Sequence, residues 1–274
     1  MSALHLILRS LWHYRRSHLG LLAGTVLAAA ILTGALVVGD SVGYTLQTYA
    51  MQRLGRVQLA VTSGEKTFST ALLTPLKAAL NAPQPLTADD DAPRRRVVSC
   101  ALALPGMAIY QDESGKKTQV NRVQALGVDR NFWTFARDMR GAMANLSGDT
   151  RLAMREVSLY TRLERRECAL DTRLAAQLGV KPGDTVALRI SKPGLLSRDA
   201  PLSSREEDTS ARANFKVKFI AGDDLMGRFS LAAGQLPPYN FFTSREDLQQ
   251  LAEVEDQANL LLAGAGTDVE GLES

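Results

Sequence analysis

The hydropathy pattern of the chain passes through three regimes. Leu4, Ile7, Leu8, Leu11 and Tyr14 recur at helical spacing, with Ser2, His5, Arg9 and Arg16 on the opposite side. This predicts a basic amphipathic helix over residues 1–17, of the kind that lies on a membrane surface. From Leu19 to Val38 there is no charged residue over 20 positions. At about 1.5 Å per residue, a helix of that length covers the roughly 30 Å hydrocarbon core of a bilayer. Beyond it the apolar residues fall into short alternating and short helical stretches. The expected organisation is a surface helix (1–17), a transmembrane helix (18–39) and a folded body (40–274).

The apolar run is longer than the 7–15 residues or so of a cleavable signal. Ala28-Ala29-Ala30 mimics a cleavage site, but the run continues through Leu36, Val37 and Val38, and no Cys follows it for a lipoprotein signal. Arg9, Arg15 and Arg16 precede the span and Asp40 follows it. Positive residues stay on the cytoplasmic side, so the N-terminus is expected inside and residues 40–274 outside the cytoplasmic membrane. Gly20, Gly24 and Ala28 stand four apart, with Ala30 and Gly34 on a second strip, a spacing that admits close approach of other membrane helices.

In the body, Val57 to Val61 reads as a strand, and Leu72, Leu73, Leu76, Ala79 and Leu80 keep helical spacing around Pro75. NAPQPLTADDDAPRRR (81–96) reads as an exposed loop. Val97 to Tyr110 and Gln119 to Val128 read as strands on either side of a turn at Ser114-Gly115. The clearest local pattern is ALDTRLAAQLGVKPGDTVALRI (169–190). Asp171 is placed to cap a short helix that buries Leu174, Ala175 and Leu178, and Gly179 is placed to close it. Lys181-Pro182-Gly183-Asp184 then suits a type II turn, and Val186, Leu188 and Ile190 alternate. Residues 191–213 read as a loop insertion, Phe215 to Ile220 as a strand, Ser244 as the cap of a helix carrying Leu248 and Leu251, and Asn259 to Leu262 as a last strand. The fold class is therefore a membrane-anchored α+β protein: one transmembrane helix, then a mixed α/β extracytoplasmic domain of two subdomains.

Charge and chemistry narrow the function. Removing Arg9, Arg15 and Arg16 from the 32 Lys and Arg leaves 29, matching the 29 Asp and Glu, all of which lie in 40–274. A neutral body has no electrostatic footprint for nucleic acid. The 3 histidines, His5, His13 and His18, all lie at or before the span. Residues 40–274 therefore lack the imidazole that Ser-His-Asp hydrolases and His-dependent zinc sites require. Gly222 to Phe229 looks like a phosphate loop, but Arg228 and Phe229 stand where that loop needs Lys and Ser or Thr. Asp223-Asp224 and Glu206-Glu207-Asp208 read as solvated loop acids. No catalytic residue, cofactor or metal site is expected. Cys100 and Cys168 leave two alternatives open: a disulfide closing a loop of about 70 residues, or two separate buried thiols.

The segments LHLILRSLWHYRRSHLGLLAGTVLAAAILTGALVVGDSV, QALGVDRNFWTF, LDTRLAAQLGVKPGDTVALRI, FKVKFIAG and FFTSREDLQQLAEVEDQANLLLAG, in that order, resemble an FtsX-like (MacB-type) ABC transporter permease subunit. The resemblance implies a MacB-like periplasmic core domain after the first membrane helix, and a separate cytosolic ABC ATPase as partner. It also implies further permease helices or a second permease subunit in a dimeric assembly. Family permeases continue into more membrane helices, so the chain is expected to be a fragment of such a subunit. A second class is a single-pass anchored binding or sensor module without an ATPase. A secreted hydrolase ranks third.

Overall fold

A computed structural model of the protein describes residues 12–64, 66–81, 96–112, 114–136, 160–193, 210–232 and 236–265. The chain divides into two units, residues 1–50 and 51–274. The first consists of most of α1, a helix spanning Arg15–Leu54 over 40 residues. The 20-residue apolar run lies near its start, and the helix continues past the polar Gly39-Asp40-Ser41 that the sequence marks as its end. Val42, Leu46 and Tyr49 maintain helical spacing there, and the Thr45 hydroxyl donates back to the Ser41 carbonyl at 2.7 Å. Of the surface helix expected over residues 1–17, residues 1–11 lie outside the described residues, and residues 15–17 belong to the start of α1.

The second unit is built on alternation. Its strands are β1 (Val57–Thr62), β2 (Phe68–Ser69), β3 (Arg96–Gln111), β4 (Lys117–Val128), β5 (Glu167–Asp171), β6 (Thr185–Ser191), β7 (Ser210–Ala221), β8 (Tyr239–Ser244), β9 (Gln257–Ala258) and β10 (Leu260–Ala265). Its helices are α2 (Leu73–Leu80), α3 (Thr172–Leu178) and α4 (Arg245–Ala252). Eight strands form one sheet in the order β1-β10-β3-β4-β8-β5-β7-β6. β3 is long enough to pair along one edge with β10 through residues 96–101 and then with β6 through residues 106–109. The second pairing closes β3-β4-β8-β5-β7-β6 into a ring.

Because side chains alternate, the sheet has an apolar layer on each face. Cys168, Leu170, Val123, Phe215 and Phe241 share one core with α3 and α4. Their neighbours Ala169, Leu126, Phe219 and Phe242 share the other core with Phe132, Trp133 and Phe229. In that second core Phe132 and Trp133 pack edge-to-face at 5.4 Å, and Trp133 meets Phe219 at 5.4 Å. A smaller cluster places Leu73, Leu76 and Leu80 of α2 against Val98, Leu261 and Ala263.

Residues 169–190 fold as their pattern predicts. Asp171 Oδ1 accepts the Leu174 N–H at 2.7 Å, and Gly179 at φ +73° receives the chain as it leaves α3. The Asp184 N–H closes the next turn on the Lys181 carbonyl at 3.1 Å. Asp171 also spans elements, because its Oδ2 accepts the Asn240 N–H of β8 at 2.6 Å. Burial pushes its pKa up, against the two N–H bonds and Arg173, which pull it down.

Two expectations are corrected, and one of two alternatives is met. The loop of 191–213 is shorter at each end: Ser191 still belongs to β6 and pairs with Ser210, where β7 opens. Serine, Ala211, Arg212 and Ala213 look loop-like alone and become strand because β6 supplies the ladder. The last strand starts at Leu260, not Asn259, whose buried side chain instead holds Ala103 through its N–H at 2.7 Å and its carbonyl at 2.8 Å. Cys100 on β3 and Cys168 on β5 are separate buried thiols not bridged to each other. In the sheet, β4 and β8 stand between those two strands.

Two outcomes follow. Asp171→Ala leaves two buried N–H groups without an acceptor and uncaps α3, and is expected to lower unfolding free energy by roughly 2–4 kcal/mol, read from urea denaturation. In denatured, unreduced protein both thiols are expected to take up alkylating reagent, giving a two-adduct mass. A mass without adducts would restore the bridge.

Candidate functional site

The residues expected to serve the membrane lie on α1. Leu19 and Val38 are exposed, and the space beside Gly20, Gly24 and Gly34 is open, with no atom within 4 Å of where a Cβ would stand. Ala28 is exposed on the same helix. The two threonines of the apolar run satisfy their hydroxyls within the helix, Thr25 on Leu22 O at 2.9 Å and Thr33 on Ala29 O. No polar side-chain group in the run therefore requires water. Arg15 and Arg16 form the first turn of α1, and Arg9 lies outside the described residues. This helix is long and apolar enough to cross a membrane.

At the other end of α1 the chain turns sharply into the second unit. Gly55 takes φ +59°, and a Cβ there would stand 2.3 Å from the Phe135 carbonyl oxygen. The next N–H, of Arg56, donates to that same oxygen at 2.8 Å. Leu54 and Val57 pack against the second core. Glycine is required at this point by its conformation and by the space available.

A cleft of about 870 Å³ lies at the ends of β4 and β8, which run parallel and finish side by side. Asp129 follows β4, Ser244 ends β8 and Arg245 follows it. Asp129 is fixed by three donors: Ser99 Oγ at 2.5 Å, the Phe132 N–H at 3.0 Å and the Cys100 N–H at 3.2 Å. The Arg245 guanidinium lies 3.8 Å from Asp129, 3.1 Å from Glu246 and 3.0 Å from Cys100 Sγ. Burial works against its charge, but Cys100, Asp129 and Glu246 outweigh burial and hold its pKa above the usual arginine value. Across the cleft Asp247 accepts the Arg166 N–H at 2.7 Å, and its own N–H is capped by Ser244 Oγ at 3.1 Å.

These groups are committed to one another, and the arrangement holds strand ends and the α4 N-terminus in place rather than presenting a nucleophile or base. Burial pushes the Cys168 thiol far up, which makes it inert. Among the described residues no group of three His, Cys, Asp or Glu is placed to hold a metal ion. Asp223 pairs with Arg228 at 2.7 Å in an exposed turn, and 206–208 lie outside the described residues. The sequence reading missed the Asp129–Arg245 pair, and only the DRN and SRE segments at two strand ends could have signalled it.

No protein-family model and no curated protein matches the sequence. Among solved structures, the chain is similar to the periplasmic region of MacB from Actinobacillus actinomycetemcomitans, with 9% identity over 81% of this chain and 82% of that one, at a TM-score of 0.36. It is also similar to the extracellular domain of the noncanonical ABC-type transporter YknZ from Gram-positive bacteria, with 11% identity over 78% of this chain and 87% of that one, at a TM-score of 0.34.

Proposed function

We propose that the chain serves in a permease subunit of an FtsX/MacB-type ABC transporter. A separate cytosolic ATPase supplies the energy, and α1 carries the resulting motion to the extracytoplasmic body for export or extraction of lipoprotein, peptide or small molecule. The observation that carries this reading is the continuity of α1. One unbroken helix, Arg15–Leu54, contains the Arg-flanked apolar run and continues well past its end at Val38. A helix transmits displacement along its axis, whereas a tether would absorb it. A simple anchored binding module has no use for that stiffness. Arg15 and Arg16 support a cytoplasmic N-terminus and an outward second unit. The open Gly20, Gly24 and Ala28 strip supports packing against other permease helices or a second subunit.

A phosphatase fused after Ser274 is expected to be active in a bacterial host, while a cytosolic fluorescent reporter at that position stays dark; the reverse pattern overturns the orientation. Thr48→Pro interrupts α1 at a cost of about 3 kcal/mol. It is expected to abolish transport by the full-length protein while the ATPase still co-purifies. Normal transport by this variant sinks the transmission role. Absence of any ATPase with the unmodified protein favours the anchored binding module.

A further inference from the structure

The second core opens to the surface between the sheet and the loop that leads into β8. The opening is a groove of about 450 Å³, a volume typical of small-ligand sites, whose apolar walls include Ala103, Leu260, Phe229, Leu231, Leu236 and Pro238. The loop's two described flanks are each held by a polar side chain, the buried Asn240 and the half-buried Arg173. Asn240 Nδ2 donates to the Gly227 and Phe229 carbonyls at 2.8 and 2.9 Å, and Arg173 Nη2 donates to those of Pro237 and Pro238 at 3.0 and 2.6 Å. Leu236 nevertheless stands 85% exposed and Leu231 36% exposed. These pinned leucines keep apolar surface in water beside an open apolar groove.

Arg122 is the one charged residue lining the groove among the described residues. It sits at the irregularity in the β3–β4 register opposite Gly106 and Ala108, with φ +58°. A bulge of this kind re-aims a side chain, here to the groove. Among the described residues, its guanidinium has no ion-pair or hydrogen-bond partner. Of the other polar wall residues, Thr62 Oγ1 accepts the Gly64 N–H at 3.2 Å, Ser230 Oγ accepts the Ala232 N–H at 3.1 Å, and Gln124 contributes one side-chain amide.

We propose that this groove binds a single-chain amphiphile with a carboxylate head, its alkyl chain along Ala103, Leu260 and Phe229 beneath Leu231 and its head on Arg122. Charge complementarity selects an anionic head, and a guanidinium matches a carboxylate with two parallel hydrogen bonds. The apolar walls select the chain. A peptide laid in the same place would bury a row of backbone amides, more than Thr62, Gln124 and Ser230 can pair, whereas an alkyl chain has none to satisfy.

The test uses the full chain in phosphatidylcholine nanodiscs and dodecanoate bearing a terminal diazirine. After illumination, label is expected on peptides containing Ala103, Phe229, Leu231 or Leu260. Unlabelled alkyl carboxylates are expected to compete roughly tenfold better for each two methylenes added. Arg122→Gln is expected to weaken labelling roughly tenfold, and Arg122→Lys, which keeps the charge but loses the paired hydrogen bonds, to weaken it by less. Leu231→Asp, on an exposed loop position, is expected to abolish labelling with an unchanged urea midpoint. Label confined to α1, equal competition by dodecanol, or labelling indifferent to Arg122→Gln would each overturn the proposal. So would displacement of the label by an acidic apolar tetrapeptide where dodecanoate fails, which would assign the groove to peptides.

Discussion

The Asp171 carboxylate joins parts of the second unit that the chain itself keeps far apart. One oxygen caps α3 and the other holds the first strand residues of β8, 69 positions further on. Asn240, held through its own N–H, uses its side-chain amide to grip the Gly227 and Phe229 carbonyls. Arg173, 3.7 Å from Asp171, grips the carbonyls of Pro237 and Pro238. Backbone groups buried at a junction of this kind must be satisfied, and each unmade bond would cost on the order of 1–3 kcal/mol. The capping of α3, the start of β8 and the course of the groove loop therefore depend on one buried network.

A second constraint is that the sheet is covered on its two faces. Strands such as Cys168-Ala169-Leu170 and Phe241-Phe242 are apolar at consecutive positions because neighbouring side chains enter different cores. The long β3 then needs partners along its whole length, and it obtains them by exchanging β10 for β6 partway along one edge.

Local chemistry was legible where one segment contains all its causes. Asp171, Leu174, Gly179 and Val186 define a capped helix, a turn and a strand within 20 residues or so of each other, and Ser244 with Leu248 does the same for α4. What depended on partners was not. Nothing in Arg122 or Gly106 announces a bulge, because a bulge exists only in the register between two strands. Ser210 to Ala213 became strand through β6, and the two cysteines were separated by the strand order. The end of α1 was misplaced because hydropathy reports where a bilayer would stop, not where a helix does. Val42, Leu46 and Tyr49 carry the helix on without the apolar density of the span.

Gly55 shows how these levels meet. At φ +59° and in contact distance of the Phe135 carbonyl, it ends α1 without a linker, so the last helical turn and the first strand belong to one packed body. Phe135 closes the short helix that Asp129 caps, and Asp129 is in turn tied to Arg245 at the start of α4. In the cleft, Asp129, Arg245, Glu246 and Asp247 are engaged in holding the ends of β4 and β8 and the start of α4. The groove differs physically, with Arg122 available and leucines exposed at its rim. Within the second unit, committed charges hold the strand ends at the cleft, and open binding capacity lies where the second core meets solvent.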